Sequence, residues 1–204
     1  DASARRNLSQ INGQNNMKPS FFCYPTVLGV LILLGMSSFV WAENSLIENF
    51  KSQPNTRWQF ITDTVMGGVS TGKVEFIHED RDYYARMTGN VSTDNNGGFI
   101  QFRIKLSKPL PKEALGLRLV VRGNTQRYFL HLRTAGTFLP WQYYQAGFDV
   151  SEDWVEVLLP FTAFKASGAF LRTSPRPESL KSVGIVAFGR DHEAKVDVRE
   201  VGYF

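Results

Sequence analysis

The chain has 204 residues, of which 43% are hydrophobic and 13% aromatic, and its formal net charge is +4. This length fits one domain with a sizeable core. Because the excess of positive charge is small and no polybasic run occurs, the composition does not favour nucleic-acid binding. We therefore expect no nucleic-acid partner.

The N-terminal part of the chain has the pattern of a secretory signal peptide. Met17-Lys18-Pro19 leads into an apolar run over residues 26–40, which ends at Ala42 before a polar stretch. The run of about 15 residues is shorter than the roughly 20 that span a bilayer. We predict a signal peptide over residues 17–42 that is cleaved after Ala42, and export to the periplasm or cell surface. A retained membrane anchor is the alternative, and residues 1–16 are interpreted as a disordered upstream extension.

The single cysteine, Cys23, lies within the predicted signal peptide. The chain from Glu43 onward therefore has no disulfide, thiol nucleophile or thiolate metal site. We expect no cofactor, and a fold that is stabilised by packing.

Beyond residue 45, apolar and polar residues alternate with period two between turn-forming residues, and helical periodicity is nearly absent. In residues 100–106 the even positions are apolar, and Tyr128, Leu130 and Leu132 are expected to face inward. Strands are predicted at residues 58–62, 73–77, 83–88, 100–106, 117–122, 127–133, 143–150, 154–159, 183–188 and 195–203. Short strands without intervening helices predict an all-β jelly-roll β-sandwich of two antiparallel sheets, in a single domain over residues 43–204.

Two segments interrupt this pattern. Residues 107–112 contain two prolines, which cannot pair in a ladder, and are predicted to form a loop. Residues 164–180 are predicted to form an irregular excursion, with a short helical turn near Pro177.

Five motifs resemble those of a known family. They are Asp63-Thr64-Val65-Met66-Gly67-Gly68-Val69-Ser70 after Trp58, Asp94-Asn95-Asn96-Gly97-Gly98-Phe99, Tyr128-Phe129-Leu130-His131-Leu132-Arg133-Thr134, Tyr144-Gln145-Ala146-Gly147-Phe148 and Leu159-Pro160-Phe161-Thr162-Ala163-Phe164. In this order they resemble the complex I intermediate-associated protein 30 family, from about Asn49 to the C-terminus.

The resemblance implies a galactose-binding-like jelly roll, similar to certain carbohydrate-binding modules. Mitochondrial members of the family act as chaperones in assembling the membrane arm of respiratory complex I, whereas this chain carries a predicted export signal. The resemblance therefore implies a non-catalytic, protein-binding assembly factor or chaperone whose partner is a membrane-complex assembly intermediate. A carbohydrate-binding module of the exported compartment is the alternative.

The candidate partner contacts lie in two glycine-rich stretches and one apolar loop. Paired glycines permit positive φ and close backbone approach, so both stretches are expected to form loops. The candidates are Asp63, Met66, Gly67, Gly68, Asn96, Gly97, Gly98 and Trp141. The alternatives are that the first stretch merely joins two strands, and that the second is a tight hairpin turn or a sugar or calcium site.

A second candidate site is a sheet face. If the alternation holds, planar hydrogen-bonding side chains and an aromatic ring project away from the core, a combination suited to sugar hydroxyls or carboxylates. The candidates are Gln101, Arg103, Arg118, Arg122, His131, Arg133, Tyr143 and Gln145. The alternative is an ordinary solvated face that carries arginines.

Tryptophan is enriched at binding hot spots, which makes Trp58, Trp141 and Trp154 candidate anchors. Trp154 lies within a predicted strand, where sheet packing is the simpler interpretation. Trp141 lies in an apolar loop, so it either contacts a partner or is buried under the loop.

The sequence gives little support for catalysis. The histidines, His78, His131 and His192, lack metal-ligand spacing, and no serine has a nucleophile-elbow context. Asp191-His192-Glu193 is predicted to form an exposed turn. We expect no enzymatic activity, although the sequence leaves a paired-carboxylate glycosidase open.

Overall fold

The computed structural model describes residues 45–204. The predicted upstream extension, signal peptide and cleavage after Ala42 lie outside the described residues. Within residues 45–204, no helix is long and apolar enough to cross a membrane.

Twelve β-strands and five short 3₁₀ turns make up the described chain. The strands are β1 (Leu46–Glu48), β2 (Trp58–Thr62), β3 (Thr71–Glu79), β4 (Asp82–Val91), β5 (Phe99–Lys105), β6 (Gly116–Gly123), β7 (Arg127–Thr134), β8 (Tyr144–Asp149), β9 (Val155–Pro160), β10 (Lys165–Ala166), β11 (Leu180–Phe188) and β12 (His192–Tyr203). Every strand predicted from the alternation is present. The strands that were missed, β1 and β10, are three and two residues long, too short to show an alternating pattern.

The strands form two sheets of six. The first sheet has the order β3–β4–β12–β6–β9, with β1 also paired to β12, and the second has the order β10–β8–β7–β11–β5–β2. All pairs are antiparallel. The predicted β-sandwich of two antiparallel sheets is confirmed.

The core lies between the inner faces of the two sheets. Ile100 and Phe102 on β5 and Tyr128, Leu130 and Leu132 on β7 are all fully buried, as the alternation predicted. The outward face of the second sheet is mainly polar, and a ligand on that face would meet the odd-numbered residues of β5 and β7.

Both glycine-rich loops cross from one sheet to the other. The first connects β2 to β3, and the second connects β4 to β5. The prediction of a hairpin turn at the second loop is therefore wrong. An Asn-Gly pair favours a turn, but it does not determine which sheet receives the next strand. The hairpin in this region instead joins β3 to β4, where Asp80 has a φ of 53°.

Asp63 fastens the two crossing loops together. Its fully buried carboxylate accepts hydrogen bonds from the backbone amides of Ser70 at 3.0 Å, Gly98 at 2.5 Å and Phe99 at 3.2 Å, and from the Ser70 hydroxyl. Burial by itself raises the pKa of Asp63, but these hydrogen bonds outweigh it and hold the pKa below its usual value. The ionised carboxylate thus ties the end of β2 to the starts of β3 and β5.

The neighbouring glycines leave room for this carboxylate. A Cβ on Gly68 would lie 2.4 Å from the Asp63 Cγ, and a Cβ on Gly97 would lie 2.5 Å from an Asp63 oxygen. Gly67, with a φ of 91°, adopts a left-handed conformation that other residues reach only with strain. The glycine pairs therefore follow from the close approach of the loops to Asp63.

Trp58 is buried, so its interpretation as a partner anchor is wrong. Its indole Nε1 donates to the buried Glu48 carboxylate at 2.9 Å, and its ring packs against Phe50 and Phe102. Glu48 also pairs with Arg57 at 2.7 Å. Trp58 thus fixes β1 and the chain after it to the sandwich.

Replacing Asp63 with alanine should destabilise the fold strongly. Asp63→Ala leaves the donors of Ser70, Gly98 and Phe99 without their acceptor in a buried place, and we expect a loss of about 3 kcal/mol in the free energy of unfolding. Urea unfolding followed by tryptophan fluorescence measures this loss. Asp94→Ala, at an exposed position in the second loop, is the matched control. Equal stability of the two variants would contradict the anchoring role of Asp63.

Candidate binding site

The outer face of the second sheet brings six of the predicted ligand-face residues together. In the strand register, His131 on β7 lies between Gln145 on β8 and Gly184 on β11, and Gly184 in turn lies beside Arg103 on β5. Neighbouring positions of the same face are occupied by Gln101, Arg133 and Tyr143, which line one cavity with Arg103 and His131. Residues distant in sequence thus meet on one surface.

His131 is the centre of this face. Its ring stacks on Tyr143 at a centroid distance of 4.1 Å with an interplanar angle of 13°, and its Nε2 lies 2.8 Å from the side-chain oxygen of Gln145. Phe188 contacts the ring edge-on at 5.6 Å. Burial lowers the pKa of His131 to about 4, although the hydrogen bond to Gln145 opposes this shift. The imidazole is therefore neutral near pH 7 and donates from Nε2.

Beside His131 the face sinks into a small cavity of about 50 Å³. It is lined by Gln101, Arg103, His131, Arg133, Pro140, Tyr143, Ser182 and Gly184. A Cβ at Gly184 would lie 3.1 Å from the Gln101 side-chain oxygen and 3.3 Å from the Arg103 Cβ. Gly184 was not among the predicted site residues, although a glycine inside a strand often marks a close approach of this kind.

Arg118 and Arg122 do not belong to this face, and this part of the predicted site is wrong. Both lie on β6, in the first sheet. Arg118 pairs with Glu156 at 3.0 Å and with Glu200 at 2.6 Å. Alternation shows which side of a strand faces outward, but it cannot show which sheet the strand joins.

Arg122 and its neighbours cover the first sheet. Arg122 pairs with the buried Asp197 at 2.8 Å, and its guanidinium lies 4.6 Å from the Trp154 ring centroid. Arg199 lies over the same ring at 4.9 Å. Trp154 is therefore packed beneath arginines on the sheet, which agrees with the simpler interpretation of this residue.

An apolar loop, residues 135–143, follows β7 next to the cavity. Trp141 is 64% exposed and Phe138 is 84% exposed, so Trp141 is not buried under the loop. Arg133 donates from Nη2 to the carbonyls of Thr137 at 3.1 Å and Leu139 at 2.9 Å. The apolar loop is thus held in one conformation while its aromatic rings face outward.

Two further contacts order the apolar loop. The buried Gln142 accepts hydrogen bonds at its side-chain oxygen from the amides of Phe138 at 2.9 Å and Leu139 at 3.0 Å. The Ser167 hydroxyl donates to the Trp141 carbonyl at 2.9 Å, which docks the excursion after β10 against the loop. That excursion carries Phe170, which is 98% exposed and which the sequence analysis did not identify. Phe138 and Phe170 lie in segments without alternation, so no sequence pattern indicated which way they face.

The glycine-rich loops contribute less surface than predicted. Asp63, Gly68 and Gly98 are buried and keep the loops in place, so the prediction that they contact a partner directly is wrong. Gly97 is partly buried against Asp63, whereas Met66, Gly67 and Asn96 remain exposed. These loops lie at the start of β5, whereas the apolar loop follows the end of β7 at the opposite end of the second sheet. One compact contact therefore cannot include both Met66 and Trp141.

The family model described as Complex I intermediate-associated protein 30 matches residues 48–197. The comparison with curated proteins gave no match.

Solved structures share the fold at low sequence identity. The family 11 carbohydrate-binding module from Clostridium thermocellum, in complex with a β-1,3-1,4-mixed-linked tetrasaccharide, has a TM-score of 0.63 and 10% identity, over 78% of this chain and 94% of that chain. The family 11 module of the cellulosomal cellulase Lic26A-Cel5E of Clostridium thermocellum has a TM-score of 0.63 and 10% identity, over 78% and 92% of the two chains. An exo-β-agarase has a TM-score of 0.54 and 6% identity, over 78% of this chain and 24% of that chain.

The pKa of His131 predicts a pH-dependent stability. Its value of about 4 in the folded state lies below the 6.5 of an unperturbed histidine, so the unfolded chain binds the proton first as the pH falls. Stability is therefore lost from pH 6.5 downward until the folded His131 also titrates. Between about pH 7 and about pH 5 this amounts to about 2 kcal/mol.

The measurement is urea unfolding of the wild type and of His131→Gln at both pH values. Between about pH 7 and about pH 5 the free energy of unfolding of the variant should fall by about 2 kcal/mol less than that of the wild type, because its residue 131 does not titrate. His78→Gln, which removes a histidine at an exposed position on the first sheet, is the control. Identical pH dependence of all three proteins would refute the neutral, buried state of His131.

Proposed function

This chain belongs to the complex I intermediate-associated protein 30 family, and we propose that it is a non-catalytic assembly domain that binds a partner protein through its apolar loop. The partner is an assembly intermediate of a membrane complex. By covering an apolar surface of that intermediate, the domain lowers its free energy and keeps it from aggregating. The predicted export signal gives the periplasm or cell surface as the place of binding.

The observation that carries this proposal is the exposure of ordered aromatic rings. Phe138 and Trp141 are exposed on a loop that Arg133 and Gln142 hold in place through hydrogen bonds. A monomer gains nothing from exposing such rings, and exposed apolar patches are typical of protein-binding surfaces. Because the loop is already ordered, binding loses little conformational entropy. Aromatic side chains are also the commonest anchors of protein interfaces.

Replacing Trp141 should weaken partner capture. We expect Trp141→Ala to reduce by at least about tenfold the recovery of membrane-complex subunits in a crosslinking pull-down from the native cell envelope, since a buried interface tryptophan commonly contributes 2 kcal/mol or more. Leu158→Ala removes an apolar side chain that is 51% exposed on β9, in the first sheet, and serves as the matched control. Both substitutions are at the surface, so both variants should fold. Equal recovery with the two variants would refute the proposal.

A second candidate function rests on a different observation. The stacked rings of His131 and Tyr143 lie beside Gln145 and Arg103, and this combination of a ring face with planar hydrogen-bonding groups suits a sugar. The family 11 modules that share the fold are carbohydrate-binding modules. On this alternative the outer face of the second sheet binds an oligosaccharide.

A glycan array followed by calorimetry tests the alternative. If the face binds a sugar, Tyr143→Ala should weaken the best array hit by at least about fivefold, because stacking on an aromatic ring contributes about 1 kcal/mol or more. Tyr83→Ala, which removes a ring that stacks on His78 on the first sheet, is the control and should leave binding unchanged. The absence of any array hit, or equal loss in both variants, would exclude the sheet face as a sugar site.

A further inference from the structure

The arginines on the outer faces of the two sheets differ in whether they have carboxylate partners. On the first sheet, Arg86 and Arg122 share the buried Asp197, and Arg118 pairs with Glu156 and Glu200. Each of these guanidinium groups therefore has a carboxylate partner on the same surface. On the outer face of the second sheet, Arg127 at one end pairs with Asp149 at 3.0 Å.

Arg103 and Arg133 lack such carboxylates. Among residues 45–204, neither has an acidic group within salt-bridge distance. The Nε of Arg103 is buried without a hydrogen-bond partner, and its Nη2 makes only a long contact of 3.5 Å with Gln59. Arg133 donates to backbone carbonyls of the apolar loop, which leaves its charge uncompensated.

The two guanidinium groups also repel each other. Both line the same cavity, and burial together with the charge of Arg133 lowers the pKa of Arg103. Placing two like charges in a partly buried cavity is unfavourable unless an anion lies between them. A carboxylate suits this position because a guanidinium fork binds it in a bidentate manner.

The size of the cavity limits what enters it. Its volume of about 50 Å³ exceeds the roughly 30 Å³ share of one water molecule in the liquid, which gives room for a small group such as a carboxylate. Pro140 of the apolar loop forms part of its wall. A molecule with its carboxylate in the cavity would thus meet the apolar loop at Pro140, next to Trp141 in the chain.

We propose that Arg103 and Arg133 bind a carboxylate of the partner protein, carried by a segment whose neighbouring apolar side chains pack on the apolar loop. This deepens the protein-binding function proposed above and rests on it. The site therefore recognises an acidic group flanked by apolar residues, and the carboxylate fixes the register of the segment on the loop.

Three short peptides test this in an NMR titration of the ¹⁵N-labelled protein. Acetyl-Leu-Glu-Leu-amide carries a side-chain carboxylate, acetyl-Leu-Gln-Leu with a free C-terminus carries a terminal one, and acetyl-Leu-Gln-Leu-amide is neutral. We expect at least one carboxylate peptide to bind about tenfold or more tightly than the neutral peptide, since hydrogen bonds to charged groups are the stronger ones. The better of the two identifies the source of the carboxylate. The amides of His131 and Gly184 should shift, and higher ionic strength should weaken binding.

Arg103→Gln should abolish the preference for the carboxylate peptides. Arg127→Gln removes one positive charge from the same face at an arginine that already has a carboxylate, and it should keep the preference. Arg103→Gln removes an unpaired charge, so its thermal stability should not fall. Arg103→Lys, which keeps the charge but not the fork, should bind with intermediate affinity.

Equal binding of the charged and neutral peptides, or no binding of any of them, would overturn the carboxylate site. Tighter binding of a glucuronate disaccharide than of either carboxylate peptide, lost in Arg103→Gln, would overturn the assignment to a protein partner. The pull-down distinguishes failure of the carboxylate site from failure of the proposed protein-binding function. Capture that is lost in Trp141→Ala but retained in Arg103→Gln would refute the carboxylate site alone, whereas capture retained in both variants would refute the protein-binding function as well.

Discussion

The carboxylate of Asp63 fixes the relation between the two sheets. It accepts hydrogen bonds from Ser70, Gly98 and Phe99, and so it determines where β3 and β5 begin after the chain has crossed from one sheet to the other. A strand that starts one residue later presents its opposite face. The hydrogen bond from Phe99 therefore agrees with the apolar pattern of β5, which places Gln101 and Arg103 on the outward face. The glycine-rich motifs do not lie on the binding face, but they help to set the register of β5, which carries Gln101 and Arg103.

The outer faces of the two sheets then take different roles. On the first sheet, Arg122 pairs with the buried Asp197 and packs against the Trp154 ring, which gives a closed polar surface. On the second sheet, Gly184 lets Gln101 and Arg103 approach closely beside His131. The charges of Arg103 and Arg133 have no acidic partners among the described residues. Charge that the fold leaves uncompensated is available for a ligand, and this contrast favours the second sheet as the binding surface.

Most of the fold could be predicted from the sequence, because burial in a sandwich produces a period-two pattern. The alternation in β5 and β7 correctly gave Phe102 and Leu130 as core residues. The same pattern could not show that β6 joins the other sheet, and so Arg118 and Arg122 were assigned to the wrong face. It also could not distinguish a partner contact from a buried anchor at Asp63, since both roles favour a polar residue beside glycines. Sheet membership and burial of polar groups depend on contacts between distant parts of the chain, which local patterns do not contain.

Arg133 joins the cavity and the apolar loop into one unit. Its guanidinium lines the cavity, while its Nη2 donates to the carbonyls of Thr137 and Leu139 in the loop. These bonds use backbone acceptors, which hold the loop without neutralising the guanidinium. One side chain therefore orders the exposed rings of Phe138 and Trp141 and keeps a positive charge beside them. An apolar partner surface that carries an acidic group satisfies both features at once, and neither feature alone would select it.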